Sequence, residues 1–234
     1  MRLETIPHFL AAVDAAAETH PLTKLAFRLL LLTWCRTAEI TGARWSEFDL
    51  RSGNWTIPAE RMKNRVAHVV WLSQQAIEAV EQAARLRDPK NPEYLFPSRT
   101  GRGFMCRTTM HQWLERRGFG EAADVHGFRA TASTWANEQL TYASVVVERA
   151  LAHQPKDKIK AAYDRALYAE PLRVLWQAWA DEVDRLVANH KNQLDALAAS
   201  GGSSESLSVH REGLVADAHS QQLAAFRSMQ ASTP

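Results

Sequence analysis

Only two cysteines occur in the 234 residues, Cys35 inside an apolar run and Cys106 in a basic loop. Without paired spacing they argue against a disulfide framework or a cysteine-based zinc site, and they read as reduced thiols. No segment approaches the roughly 18 consecutive apolar residues that a bilayer span requires. Met1-Arg2-Leu3-Glu4 lacks the apolar stretch of a signal peptide. The expectation is a soluble, cytoplasmic chain with no membrane partner. Charge of one sign is also scarce, because the formal net charge is only +2. Attraction for a polyanion must then come from local clusters. Three stand out: Arg61, Lys63 and Arg65; Arg99, Arg102 and Arg107; Arg116 and Arg117.

Apolar material is plentiful, at 46% of the residues with eight tryptophans. That suffices for a substantial core in one large domain, or in one domain with an appendage. Ile6, Phe9, Leu10 and Val13 recur at helical spacing. Pro21 then precedes a strongly apolar helix, Leu22 to Trp34. From Trp45 to Trp71 the pattern changes to alternation, at Trp55-Thr56-Ile57 and again at His68-Val69-Val70-Trp71-Leu72. A polar turn, Met62-Lys63-Asn64-Arg65, separates the two and predicts a β-hairpin. Pro58 should close or edge its strand. Ser73 starts another helix, with Ile77 and Val80 on its inner face. Pro89, Pro92, Pro97 and Gly101 make 87–104 a loop. Helical patterning resumes over roughly 107–117, 126–139, 144–152, 157–166 and 170–188. The fold class is mostly α (α+β), with a small antiparallel β-sheet or hairpin inserted among helices. A domain over 1–188 and a flexible tail over 189–234 follow from the loss of aromatics past Asn189 and the linker composition of Ala199-Ser200-Gly201-Gly202-Ser203-Ser204. A weak amphipathic stretch remains in the tail, at Leu214, Ala218, Leu223 and Phe226.

Chemistry concentrates in a few positions. His126 and Arg129 are spaced to share one helix face and point at one small anion. Arg36 supplies a second planar fork, and two such forks match the oxygens of a phosphate. Breaking a phosphodiester also needs a nucleophile in line and a proton for the leaving alkoxide. Tyr163 is the candidate nucleophile, although a phenol of pKa about 10 must first be activated by positive charge and a base. His126 suits the base, His153 a second hydrogen bond to the phosphate, and Lys63 the acid, reaching in from a mobile turn. Tyr168 is the alternative tyrosine. Glu39, one turn beyond Arg36, is placed to orient it or merely to cap a helix. No carboxylate cluster for a metal accompanies them, and no cofactor is expected.

These segments together resemble the catalytic domain of the tyrosine recombinases, in particular prophage integrases of the phage-satellite type. The resemblance is carried by Arg36-Thr37-Ala38-Glu39, by Pro58 to Lys63 with His68 to Ser73, by His126 to Ser133, by Leu151-Ala152-His153 and by Ala161-Ala162-Tyr163-Asp164-Arg165. Leu175 to Ala180 resembles the closing helix, and coverage runs from about Glu4 to Leu186. The resemblance implies a 3′-phosphotyrosyl intermediate, formed and resealed without metal or ATP, for integration or excision of a mobile element. Arg36 and Arg129 become the clamp, Lys63 the acid, His126 the base, His153 the second phosphate donor and Tyr163 the nucleophile. It further implies double-stranded DNA attachment sites as partner, a tetramer on DNA from a free monomer, DNA-bending accessory proteins and a bacterial, nucleoid-associated setting. Residues 212–229 would pack on a neighbouring protomer. Cys35, Thr37 and Ala38 depart from the family's glycine and proline around the first arginine, and Trp71 replaces a proline. Such integrases carry arm-binding and core-binding domains ahead of this one, and Met1 falls close to the catalytic start. The alternatives are a truncated, non-catalytic remnant that binds DNA and a type IB topoisomerase-like nickase.

Overall fold

The computed structural model describes residues 1–119, 127–139, 142–153 and 168–199. The expected helix over 157–166 and the tail stretch over 212–229 lie outside them. Eight α-helices are described: α1 (Thr5–Ala15), α2 (Pro21–Thr33), α3 (Thr37–Thr41), α4 (Gln74–Arg85), α5 (Arg107–Arg116), α6 (Gly127–Glu138), α7 (Ser144–Ala150) and α8 (Ala169–Ala199). None of the described helices is long and apolar enough to cross a membrane. Three short strands lie between α3 and α4: β1 (Phe48–Asp49), β2 (Asn54–Ile57) and β3 (His68–Trp71).

The central element is α2, whose sequence is apolar on almost every side, as a helix surrounded by neighbours must be. Leu29 and Leu30 have no exposed surface, and α2 packs against α1, α3, α4, α6 and α8. Its start is set by Pro21 at the first helical position and by the His20 ring, which accepts the Leu22 N–H at 3.2 Å. Its partner α4 begins at Ser73, whose hydroxyl accepts the Ala76 N–H at 3.2 Å. The buried face of α4 is Ala76, Ala79, Val80 and Ala83, small side chains that admit α2 closely. Ile77, expected on that face, is only half-buried. A buried aromatic group of Phe9, Phe27, Trp113, Phe119 and Phe128 joins α1, α2, α5 and α6, with Phe9 and Phe128 centroids 5.0 Å apart.

The sheet is antiparallel in the order β1-β2-β3. Trp55 and Ile57 point into the core while Thr56 faces out, so the alternation read from the sequence has its physical cause in one covered face. Pro58 falls just after β2, where no ladder hydrogen bond is asked of it. Instead of a tight hairpin turn, ten residues join β2 to β3, opening with a 3-10 turn over Ala59–Arg61. Trp71, a departure from the family pattern, carries the Arg173 guanidinium of α8 at 4.0 Å from its ring. Trp179 of α8 donates its indole N–H to the Leu31 carbonyl at 2.9 Å. The last core residue of α8 is Val183, yet the helix continues to Ala199, well past the expected end at 188.

Candidate active site

The apolar α2 ends at Trp34, which adopts the left-handed conformation (φ 58) with its ring buried against Trp179. A non-glycine residue there costs about 1–2 kcal/mol, offset here by burial of an indole. The residue needing glycine-like freedom is thus Trp34, one place before Cys35. The turn releases its carbonyl inward and sends Arg36 into the start of α3. There the Glu39 carboxylate takes both the Arg36 backbone N–H (2.6 Å) and its Nη1 (2.8 Å). Glu39 is almost wholly buried, with 3% of its side chain exposed, whereas Arg36 retains 25%. Glu39 therefore caps and orients at once. The remaining N–H groups of Arg36 have no partner among the described residues and can be offered to an anion.

Arg129 comes from α6 and is held differently. Its Nη1 donates to the Trp34 carbonyl and its Nη2 to the Leu151 carbonyl, the latter at 2.7 Å. These bonds cross from α6 to the ends of α2 and α7. Burial, and after it the nearby Arg36 charge, hold this guanidinium below its usual pKa. Two cations close enough to repel, with Glu39 as their carboxylate counter-charge among the described residues, form a niche that favours a bound anion.

His68 at the start of β3 completes the niche. Burial pushes its imidazole down to about 4; Glu39 opposes that shift, and Arg129 and Arg36 reinforce it. The ring is neutral at pH 7. Its edge meets Trp176 at a centroid distance of 6.4 Å. In the sequence His68 marks a strand and opens a segment that carries the resemblance, with no site role assigned to it. Nothing in its neighbours along the chain shows that, paired opposite Ile57, it lies within reach of the Arg129 and Arg36 charges. Cys35 lies beside them, fully buried, with its thiol pushed far up by desolvation and by Glu39, so it is not an ionised nucleophile.

The other expected residues fall as follows. His153 lies two residues beyond Leu151, half-exposed, its Nδ1 2.7 Å from Glu148 Oε2. The α7 ending explains its placement. Ala152 is left-handed (φ 52), the His153 N–H returns to the Glu148 carbonyl and the Ala152 N–H to Arg149 (both 2.9 Å). Lys63 is exposed in the β2–β3 connection. That connection is anchored rather than freely mobile, because Met62 is core (2% exposed) and Asn64 Nδ2 donates to the Ala152 carbonyl at 3.0 Å. Arg61, expected in a surface basic cluster, is internal instead. Its Nη1 pairs with Glu47 at 2.6 Å and its Nη2 donates to the Glu39 carbonyl at 2.5 Å. Glu47 in turn accepts the Trp55 indole N–H at 2.9 Å. A buried polar chain therefore runs from β2 through Glu47 and Arg61 to the helix that carries Arg36. Arg99, Arg102, Arg107 and Arg116 are exposed, as expected of basic clusters. Tyr168 stands at the entrance to α8, with the Arg149 guanidinium 5.8 Å over its ring. His126 and Tyr163 lie outside the described residues.

The family model described as "Phage integrase family" matches residues 1–170. Among curated relatives, "Prophage integrase IntZ" of Escherichia coli strain K12 is 36% identical over 193 residues, covering 82% of this chain and 47% of its own length. "Prophage integrase IntA" of the same strain is 40% identical over 184 residues, covering 78% and 44%. The "Integrase" of Enterobacteria phage P4 is 32% identical over 194 residues, covering 76% and 44%. The chain spans about half the length of the curated relatives it matches. Among solved structures, the integrase from mycobacterium phage Brujita superposes with a TM-score of 0.55 at 19% identity, over 77% of this chain and 60% of that one. XerA recombinase gives 0.50 at 14% identity, over 74% and 61%. Those two likenesses bear on the fold, a helical domain with a small antiparallel sheet; the sequence relatives and the family match go further, and on them the chain belongs to the phage integrase family of tyrosine recombinases.

Proposed function

We propose that this chain is the catalytic part of a site-specific DNA recombinase acting in integration or excision of a mobile element. The observation that carries the reading is the paired guanidinium niche. Arg129 is locked on two backbone carbonyls, and Arg36 is held by Glu39 with N–H groups left over. Such a niche suits the tetrahedral oxygens of a backbone phosphate, whose charge rises as it is attacked. In the proposed reaction Tyr163 Oη bonds to phosphorus, its proton passes to His126, and the bond to the 5′-oxygen breaks. Lys63 gives that oxygen a proton, while His153 donates to a non-bridging oxygen. The phosphodiester's energy stays in the 3′-phosphotyrosyl link, so resealing by a partner 5′-hydroxyl needs no ATP and no metal enters the scheme. The substrate is double-stranded DNA at attachment sites, engaged by a tetramer built from free monomers with DNA-bending proteins assisting, in the bacterial cytoplasm. Residues 1–188 form the catalytic domain, and 189–234 a tail that begins as the outer continuation of α8. The names of the relatives, all integrases, support this reading.

A nicked suicide substrate carrying a matched attachment site tests it. The expected result is a covalent protein–DNA adduct that disappears in Tyr163→Phe and persists in Tyr168→Phe. An adduct that survives Tyr163→Phe would refute the assignment. DNA binding with no adduct at high protein concentration would point to a non-catalytic remnant.

A further inference from the structure

The C-terminal turn of α7 is gripped by side-chain donors from two separate parts of the chain. A helix that ends in a left-handed residue leaves its last carbonyls without intrahelical partners. Here two of them are met in succession: Leu151 by Arg129 Nη2 at 2.7 Å, and Ala152 by Asn64 Nδ2 at 3.0 Å. The first donor belongs to the guanidinium niche. The second comes from the residue beside Lys63, 88 positions away along the chain.

We infer that Asn64 is a positioning residue that delivers the Lys63 ammonium to the leaving 5′-oxygen, by pinning the β2–β3 connection to the turn that carries His153. This rests on the recombinase reading above. A lysine stem carries considerable rotamer freedom, so a proton donor at its end is useful only if the backbone that bears it is fixed. On one side of Lys63 the backbone is fixed by Arg61, through Glu47 and the Glu39 carbonyl, and by buried Met62. On the other side Arg65, Val66 and Ala67 are exposed. Between them stands Asn64, and both ends of its amide are engaged. Its Oδ1 accepts the Val66 N–H at 3.3 Å, closing the local turn, and its Nδ2 docks that turn on Ala152. Lys63 and His153, which would act on different oxygens of one phosphate, thereby share one mechanical link.

The test uses Asn64→Asp in the full chain, which keeps the acceptor for Val66, removes the donor and sets a carboxylate against the Ala152 carbonyl. Cleavage is measured on two suicide substrates, one natural and one with the bridging 5′-oxygen replaced by sulfur. With sulfur, the tyrosine O–P bond forms and the P–S bond breaks with the electron pair leaving on sulfur. A thiolate, whose conjugate acid has a pKa of about 8.5, departs without a proton. General acid help is worth about 10²–10⁴ in rate, so Lys63→Ala should lose that factor on oxygen and recover on sulfur. Asn64→Asp is expected to slow oxygen cleavage at least about tenfold, within the reach of that same effect, and to cleave the sulfur substrate at nearly the unmodified rate. Recovery on sulfur also shows that the variant is folded. Unchanged cleavage of the oxygen substrate by Asn64→Asp, or equal loss on both substrates, would overturn the inference and leave the recombinase reading intact. Absence of any Tyr163-dependent adduct from the unmodified chain on either substrate would overturn that reading and the inference with it.

Discussion

His68 should make the fold acid-labile in a defined window, and the size of the effect follows from its surroundings. The imidazole sits at about 4 against an ordinary value of 6.5, with burial the largest cause and Arg129 and Arg36 adding to it. In the native state the ring stays neutral, while the unfolded chain takes up the proton near pH 6.5. The stabilisation is therefore complete above pH 6.5 and is lost as pH falls toward 4. Between pH 7 and pH 6 the loss is about 0.7 kcal/mol, and by pH 5 about 2 kcal/mol. His68 is only half-buried, so solvent screening makes these upper values. Urea unfolding of the unmodified chain and of His68→Gln at pH 7, 6 and 5 isolates this part, because the other titrating groups are common to both. The variant is expected to start less stable at pH 7, and the gap should narrow steadily toward pH 5. Parallel stability curves across that range would show that His68 keeps an ordinary affinity for protons and that the niche does not hold two guanidinium charges against it.

Arg129→Lys should separate structure from chemistry when set beside Arg36→Lys. A single ammonium cannot serve both the Trp34 and Leu151 carbonyls, and one buried acceptor left unpaired costs about 1–3 kcal/mol. Arg36→Lys keeps its pairing with Glu39 and should cost much less in urea unfolding, although both lose adduct formation; equal stability losses would refute the buried-bracket role of Arg129. Ala152→Gly relieves a left-handed alanine at the α7 end and should raise stability by about 1 kcal/mol in the same assay. A drop in the midpoint would mean that the Ala152 methyl group is needed in packing.

Much of the architecture was legible in the chain because local physics and tertiary demand agree there. The apolar run after Pro21 could only be a buried helix, Ser73 could cap the next, and the alternation at Trp55–Ile57 and His68–Trp71 matched a sheet with one covered face. The pairing of Arg36 with Glu39, one helical turn apart, was also readable. Three features were not. Arg61 reads as surface charge until Glu47, fourteen residues earlier, is folded against it. Lys63 reads as belonging to a mobile turn until Asn64 meets Ala152. Tryptophan at a left-handed helix end defies propensity, and only the pocket beside Trp179 compensates for it.

Composition, periodicity and capping residues act over a few neighbours, so the sequence by itself determined the described helices, the inserted strands and the chemical types available to a site. Which guanidinium is bracketed by backbone and which stays open, and which histidine loses its proton, depend on carbonyls and charges contributed from α2, α6, α7 and β3. Desolvation and Coulomb forces act between groups brought close in space, whatever their separation along the chain, and only the folded structure fixes those distances.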